Sequence, residues 1–192
     1  MTPRLERLAD ASPRPWRNGG GVTRELLAWP RADGWRVRVS VADVDADGPF
    51  SVFPGVRRWF AVLDGAGVEL DVDGRRRCLR RGDAPLEFDG AATVHCRLLD
   101  GPTRDLNLML AGVPGAMQTA VDGAAWTPPP GAVCGLYAGV AGRCADVAVP
   151  AQCVLWFDRP PPLLSFRAGA DGAPGTAVGH WLWALPDGEP QS

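Results

Sequence analysis

The side chains best placed to do chemistry fall in two glycine-punctuated stretches. One is Trp16-Arg17-Asn18-Gly19-Gly20-Gly21-Val22-Thr23-Arg24-Glu25. The other is Gly48-Pro49-Phe50-Ser51-Val52-Phe53-Pro54-Gly55, closely followed by Arg58. Glycine permits backbone angles that side chains forbid and lets a ligand or another strand approach closely. Around such turns Asn18, Thr23, Glu25, Ser51 and Arg58 can converge on a pocket. Arg58 matters most, because a guanidinium presents a planar fork of donors that fits a carboxylate with two parallel bonds. Strand alternation puts Arg57 and Arg58 on opposite faces, so one points out and one points in. A buried arginine is costly without an anionic partner, which here is either a ligand or one of the carboxylates Glu25 and Asp105.

Other candidates divide between ligand contact and plain structure. Arg38 and Ser40 share the polar face of the alternating stretch Trp35 to Val41; that face is either solvated or, in a barrel, lines the cavity. Asn18 with its glycines can form a nest of backbone N–H groups for an anion, or cap its own loop. Trp16 can stack on a planar ligand or join the core. Phe50 and Phe53 anchor the Pro-Gly turn, with Phe53 also available as an apolar wall, and Ser51 is free to hydrogen-bond. Asn107 alternates with Leu106 and Leu108 and is in phase with Asp105, so an inward-facing Asn107 needs a polar partner. A metal centre is not expected, since the only histidines are His95 and His180, with no His-x-His pair, and zinc, iron or manganese sites need clustered donors. No cofactor is expected either.

Composition narrows the classes further. With 192 residues, 46% of them hydrophobic, the chain can build a large core. A formal net charge of −2 argues against nucleic acid and anionic membrane as partners. All of its Lys/Arg cations are arginines, the densest run being Arg75-Arg76-Arg77 with Arg80 and Arg81, which reads as a solvated sheet edge. No apolar run is long enough for a membrane helix, and Arg4, Glu6, Arg7 and Asp10 interrupt any signal-like stretch. Five cysteines without metal-type pairs read as small buried residues in a reducing cytoplasm.

The elements that must position these residues are strands. With 24 Gly and 19 Pro, long helices are hard to place. Trp35, Val37, Val39 and Val41 alternate with Arg36, Arg38 and Ser40. Strands follow over Arg58 to Leu63, Val68 to Val72, Arg75 to Arg80, Pro85 to Phe88, Thr93 to Leu99 and Asp105 to Leu110, and Asp73-Gly74 suits a tight hairpin. Such spacing predicts an all-β sandwich or barrel. Gln118 to Gly131, with its three prolines, reads as a linker, giving residues 1–117, a linker 118–131, and residues 132–192. Beyond the linker the pattern repeats. Val133 to Gly142 echoes Arg58 to Gly67, Val154 to Asp158 echoes Pro85 to Asp89, and Leu163 to Arg167 echoes Val94 to Leu98. The second half then serves mainly as structure, and the Trp-rich tail around Trp181 and Trp183 is a candidate homodimer face.

Taken in order, these segments resemble those of the HutD/Ves family. The match rests on Trp16 to Glu25, on Arg38 and Ser40 with Ala42, on Gly48 to Gly55 with Arg58, on Leu63-Asp64-Gly65, on Leu99-Asp100-Gly101, and on Arg104-Asp105-Leu106-Asn107-Leu108-Met109. It covers roughly the first 110 residues. The resemblance implies a cupin-like double barrel, an RmlC-like jelly-roll bicupin. It also implies a cytoplasmic, metal-free protein linked to histidine utilisation that binds or regulates through a small organic acid, without an assigned catalytic activity. The arginine gripping that acid would be Arg58, with Arg38, Asn18, Ser51 and Asn107 as polar contacts and Trp16 or Phe53 as wall. Two positions depart from the family pattern. Val37 stands where a Trp precedes the motif arginine, and Leu110-Ala111-Gly112 replace a nearby arginine, which points to a different or less anionic ligand. The competing expectation is a metal-independent isomerase or lyase with Glu25, Asp105 or His95 as general base beside Arg58.

Overall fold

The computed structural model describes residues 2–170 and 172–186. Its strands, in chain order, are β1 (Arg4–Arg7), β2 (Pro13–Pro15), β3 (Gly21–Trp29), β4 (Val37–Val44), β5 (Gly48–Pro49), β6 (Val56–Asp64), β7 (Val68–Val72), β8 (Arg75–Leu79), β9 (Leu86–Asp89) and β10 (Val94–Leu98). They continue with β11 (Thr103–Ala111), β12 (Gly115–Val121), β13 (Ala125–Trp126), β14 (Val133–Ala138), β15 (Gly142–Cys144), β16 (Val147–Val149), β17 (Cys153–Phe157), β18 (Leu164–Ala168) and β19 (Ala177–Ala184). Among the described residues the only helical pieces are short 3-10 turns at Leu8–Asp10 and Ala32–Gly34. No helix among them is long and apolar enough to cross a membrane. The fold is the all-β, cupin-like double barrel that the strand pattern and the resemblance imply.

The chain divides into two compact units, residues 12–112 and residues 1–11 together with 113–192. This corrects the expected boundaries. Residues 118–131 are not a linker, because they contain the second half of β12 and all of β13. Met117 and Ala120 on β12 are buried core residues, so only the three prolines behave as a connector. The first residues also change sides: β1 pairs antiparallel with β17, placing Leu5 opposite Leu155.

Each unit is a pair of sheets. In the unit of residues 12–112 a six-stranded sheet runs β2-β3-β4-β11-β6-β9 and a four-stranded sheet runs β5-β10-β7-β8. In the other unit a five-stranded sheet runs β1-β17-β14-β19-β12 and a four-stranded sheet runs β13-β18-β15-β16. The two four-stranded orders are the same order shifted along the chain, and β4-β11-β6-β9 matches β12-β19-β14-β17. The three sequence echoes therefore fall on equivalent strands, β6 with β14, β9 with β17 and β10 with β18.

Local chemistry explains the elements of the first unit. β4 carries Val37, Val39 and Val41, all fully buried on one face, and runs from Val37 to Val44, two residues later at its start than the alternation suggested. Asp73 and Gly74 take φ of 49° and 82°, the left-handed pair a two-residue hairpin needs between β7 and β8. Arg75, Arg76 and Arg77 are exposed on β8, an edge strand, as a solvated edge should be. Val44, Phe60, Val62, Val68, Leu70, Phe88, Val94 and Cys96 pack together as the core. Cys96, Cys134, Cys144 and Cys153 are buried free thiols, whereas Cys78, expected inside, is exposed on β8.

Candidate functional site

Register builds the floor of a cavity in the first unit. β4, β11 and β6 are hydrogen-bonded neighbours, so opposite residues line up in rows across the sheet. Arg38, Met109 and Arg58 form one row, Ser40, Asn107 and Phe60 the next, and Ala42, Asp105 and Val62 the third. Period-two alternation keeps these on one face while Val39, Val41, Leu106 and Leu108 take the other. The polar face of β4 thus points inward rather than to solvent.

The cavity has a volume of about 560 Å³, within the range of small-molecule sites. All seven residues singled out from the sequence line it: Arg58, Arg38, Asn18, Ser51, Asn107, Trp16 and Phe53. Sequence reasoning left out Arg14, Arg17, Met109 and Pro49, which also line it. The signal for Arg14 and Arg17 lay in the Arg-Pro-Trp-Arg run flanking Trp16, where β2 pairs with β3 opposite Thr23.

Arg58 is 5% exposed. Its Nη2 donates to Asn107 Oδ1 at 3.0 Å and its Nη1 donates to the Ser51 carbonyl at 3.2 Å. The guanidinium lies 5.5 Å from the Phe50 ring centroid, 5.6 Å from Phe53 and 5.0 Å from Phe88. Phe50 and Phe53, expected as turn anchors, thus also box the cation in. Nε is buried without a partner. Among the described residues no carboxylate stands within ion-pair distance of Arg58. Burial pulls its pKa down to about 10, with Asp105 opposing the fall and Arg38 adding to it; the group stays charged at neutral pH.

The two carboxylates weighed as structural partners are otherwise engaged. Glu25 accepts from Arg38 Nε at 2.7 Å. Asp105 is fully buried, and its Oδ1 accepts from Asn107 Nδ2 while Oδ2 has no partner. Burial pushes the Asp105 carboxyl well above the usual carboxylate range, against the pull of Arg58 and the Asn107 bond and with a further push from Asp43. Asn107 is thereby fixed, its oxygen toward Arg58 and its nitrogen toward Asp105. Of the three side chains weighed as a general base, only Asp105 lines the cavity with Arg58. Glu25 is held by Arg38, burial raises the pKa of the Asp105 carboxyl, and His95 is exposed on β10.

The remaining candidates sort cleanly. Asn18 Oδ1 accepts from Gly20 N at 3.1 Å, and only Gly19 of the three glycines has a left-handed φ, 72°. The loop is therefore capped by Asn18 rather than folded as an open nest. Trp16 is half-buried, donates from Nε1 to Thr23 Oγ1 at 2.7 Å and meets Phe50 edge-on at 6.1 Å. Ser51 is exposed and gives its carbonyl to Arg58. No group of three or more His, Cys, Asp or Glu side chains among the described residues could hold a metal ion.

The second unit repeats the strand order with apolar side chains at the equivalent places. Aligned on Phe88 and Phe157, its register places Cys134 where Arg58 stands, Trp181 where Asn107 stands and Gly179 where Asp105 stands. Trp181 is 3% exposed and stacks on Trp126 with centroids 4.7 Å apart. It faces the core, which removes it from any homodimer face.

Comparison with known proteins agrees with this geometry. The family model described as HutD matches residues 8–129. An uncharacterised 21.2 kDa protein of the hutC 3′ region of Pseudomonas putida is 43% identical over 110 residues, covering 56% of this chain and 57% of that protein. Protein Ves of Citrobacter koseri is 39% identical over 97 residues, covering 49% and 50%. The match thus spans about half the length of these curated relatives. The structure of HutD from Pseudomonas fluorescens SBW25, from a formate condition, superposes with a TM-score of 0.80 at 27% identity, covering 95% of this chain and 97% of that one.

Proposed function

The chain belongs to the HutD family, and on that premise we propose that it binds a small organic acid in the cavity of its first barrel and acts as a non-catalytic sensor or buffer of that metabolite. The observation that carries this is the charge of the cavity. Arg58 is a buried cation with no carboxylate in ion-pair reach, beside an acid whose pKa burial raises. A buried charge demands compensation, and a bound carboxylate supplies it. Arg14 and Arg17 add positive charge to the same cavity. They compensate for the arginine that Leu110-Ala111-Gly112 replace, so the ligand need not be less anionic.

The residue roles follow from their positions. Arg58 makes the charge-assisted contact, Asn107 and Ser51 orient it, Arg38 and Asn18 supply further polar contacts, and Trp16 and Phe53 form the wall. The hutC-region relative in Pseudomonas putida directs the choice of ligand toward acids of histidine breakdown. The five free thiols fit a cytoplasmic, reducing setting. The test is calorimetric titration with a panel of small mono- and dicarboxylic acids that includes those of the histidine pathway. The expected result is saturable binding that Arg58→Ala weakens by about tenfold or more. No binding by the wild-type protein, or equal affinity in the variant, refutes the reading.

A further inference from the structure

The Asp105–Asn107–Arg58 chain leaves two buried polar atoms unsatisfied, Asp105 Oδ2 and Arg58 Nε. Buried polar groups are nearly always paired, so two orphans on one cavity need a common explanation. Both belong to residues that line the cavity, and Asn107 bridges the two side chains through opposite ends of its amide. Its amide nitrogen occupies Asp105 Oδ1, which leaves Oδ2 as the oxygen available to carry a proton. Resting on the organic-acid reading above, we infer that Asp105 is itself a ligand contact: its Oδ2 carries a hydrogen and donates it to an oxygen of the carboxylate that Arg58 grips.

The surroundings of Asp105 decide its protonation. From β6 it faces Arg58, which favours the ionised form. On β4 its row neighbour is Ala42; Asp43, on the other face of that strand, opposes ionisation, although Arg24 and Arg104 hold Asp43 at 2.6 Å each and blunt its charge. On β10 the Cys96 thiol is pushed up to about 12, chiefly by burial, and so stays neutral. On its own strand only Asn107 bonds it. Burial outweighs the pull of Arg58. An ionised Asp105 would repel an incoming carboxylate across the same cavity, whereas a neutral one offers a donor; a carboxylic acid kept neutral by an apolar site is a known way to supply such a hydrogen bond. The site therefore recognises its anion with one permanent cation and one acid hydrogen, and a ligand that arrives while Asp105 is ionised must bring a proton with it.

The test uses sodium formate, the smallest carboxylate, as probe. In wild-type protein labelled with ¹³C at its aspartate side-chain carboxyls, the infrared difference between formate-bound and free protein should show one protonated-carboxyl C=O stretch that shifts on binding. Titration should show Asp105→Asn, which keeps a donor at that place, within about threefold of wild-type affinity, and Asp105→Ala weaker by about tenfold. Formate binding that leaves every protonated aspartate band unmoved overturns the inference, as does loss of binding in a folded Asp105→Asn protein. In either case retained dependence on Arg58 leaves the organic-acid reading standing. Failure of the wild-type protein to bind formate or any acid of the panel removes both. The labelled wild-type spectrum decides the matter even where a variant does not fold.

Discussion

Replacing Arg58 with Met keeps the unbranched apolar stem and removes the cation. Burial lowers the guanidinium pKa from 12.5 to about 10. At about 1.4 kcal/mol per unit, the cavity holds the charged form roughly 3 kcal/mol less comfortably than water does. A contacting carboxylate relieves part of that cost, and a charge-assisted hydrogen bond is worth about 1.5–3 kcal/mol. Arg58→Met should therefore weaken binding of a small carboxylate by about ten- to 150-fold at pH 7. Two assays check this. Calorimetric titration gives the affinity directly. Thermal unfolding at about 100 times the wild-type dissociation constant should show about 2.7 kcal/mol of stabilisation, or roughly 5–10 °C for a chain of this size, and about 0.3–1.4 kcal/mol in the variant. Arg57→Met is the control, since Arg57 is exposed on the opposite face with Glu87 for company. Wild-type affinity should also fall as pH rises through about 10, where Arg58 loses its proton. The reasoning fails if Arg58→Met binds within twofold of wild type, or if chloride at matched ionic strength reproduces the thermal shift.

Glu25→Gln removes the counter-charge of Arg38 at 2.7 Å and should raise carboxylate affinity by about two- to fivefold at low salt, an effect that titration in high salt should shrink; a drop in affinity counts against it. Gly21→Ala should cost about 1–3 kcal/mol in denaturant unfolding and weaken ligand binding, because a Cβ there would sit 2.4 Å from the Asp43 carbonyl oxygen and 3.2 Å from the Trp16 ring. Gly74→Ala meets open space and should cost only the strain of its 82° φ, about 1 kcal/mol. His180 is pulled by burial from 6.5 to about 4. As pH falls the unfolded chain takes up that proton first, so stability is full above about 6.5 and declines by up to about 3 kcal/mol toward pH 4. Urea unfolding should show this slope in wild type and its loss in His180→Gln; equal slopes would refute it.

Much of the fold was legible because period two is a strong signal. The alternations at Val37 to Val41 and at Leu106 to Leu110 fixed which residues share a face, and Asp73-Gly74 fixed a hairpin. Which face turns inward was not legible for β4, since Arg38 and Ser40 look the same on a wet surface and in a polar cavity. The boundary between units was misjudged because Pro128-Pro129-Pro130 reads as a connector, while Ala120, which binds β12 into the second core, is a single inward residue in a weak pattern. The pairing of β1 with β17 spans most of the chain, and no local feature of Arg4–Arg7 announces so distant a partner. At the site, residue types identified Arg58 as the buried cation, but its freedom from Glu25 depended on Glu25 pairing with Arg38 instead, next to an irregularity in β3 between Glu25 and Leu27. That irregularity has no glycine or proline to mark it.

The comparison of the two units shows what hollowing a barrel costs and why it is kept. Strand order and register are shared, so the difference lies in side chains at equivalent places. Trp181 and Cys134 are buried in the core of the second barrel where Asn107 and Arg58 line the cavity of the first. A buried tryptophan removes about 150–250 Å² from water, worth roughly 4–6 kcal/mol at 25 cal/mol per Å². The first barrel forgoes that stabilisation and in addition buries a guanidinium with no carboxylate in ion-pair reach. Nothing in the architecture compels this choice, since the second unit closes the same topology with Trp181 stacked on Trp126. Stability is given up in this way where an interior must receive something. On the reading proposed above, a small carboxylate would meet the Arg58 cation, the Asn107 amide and the surrounding aromatic rings.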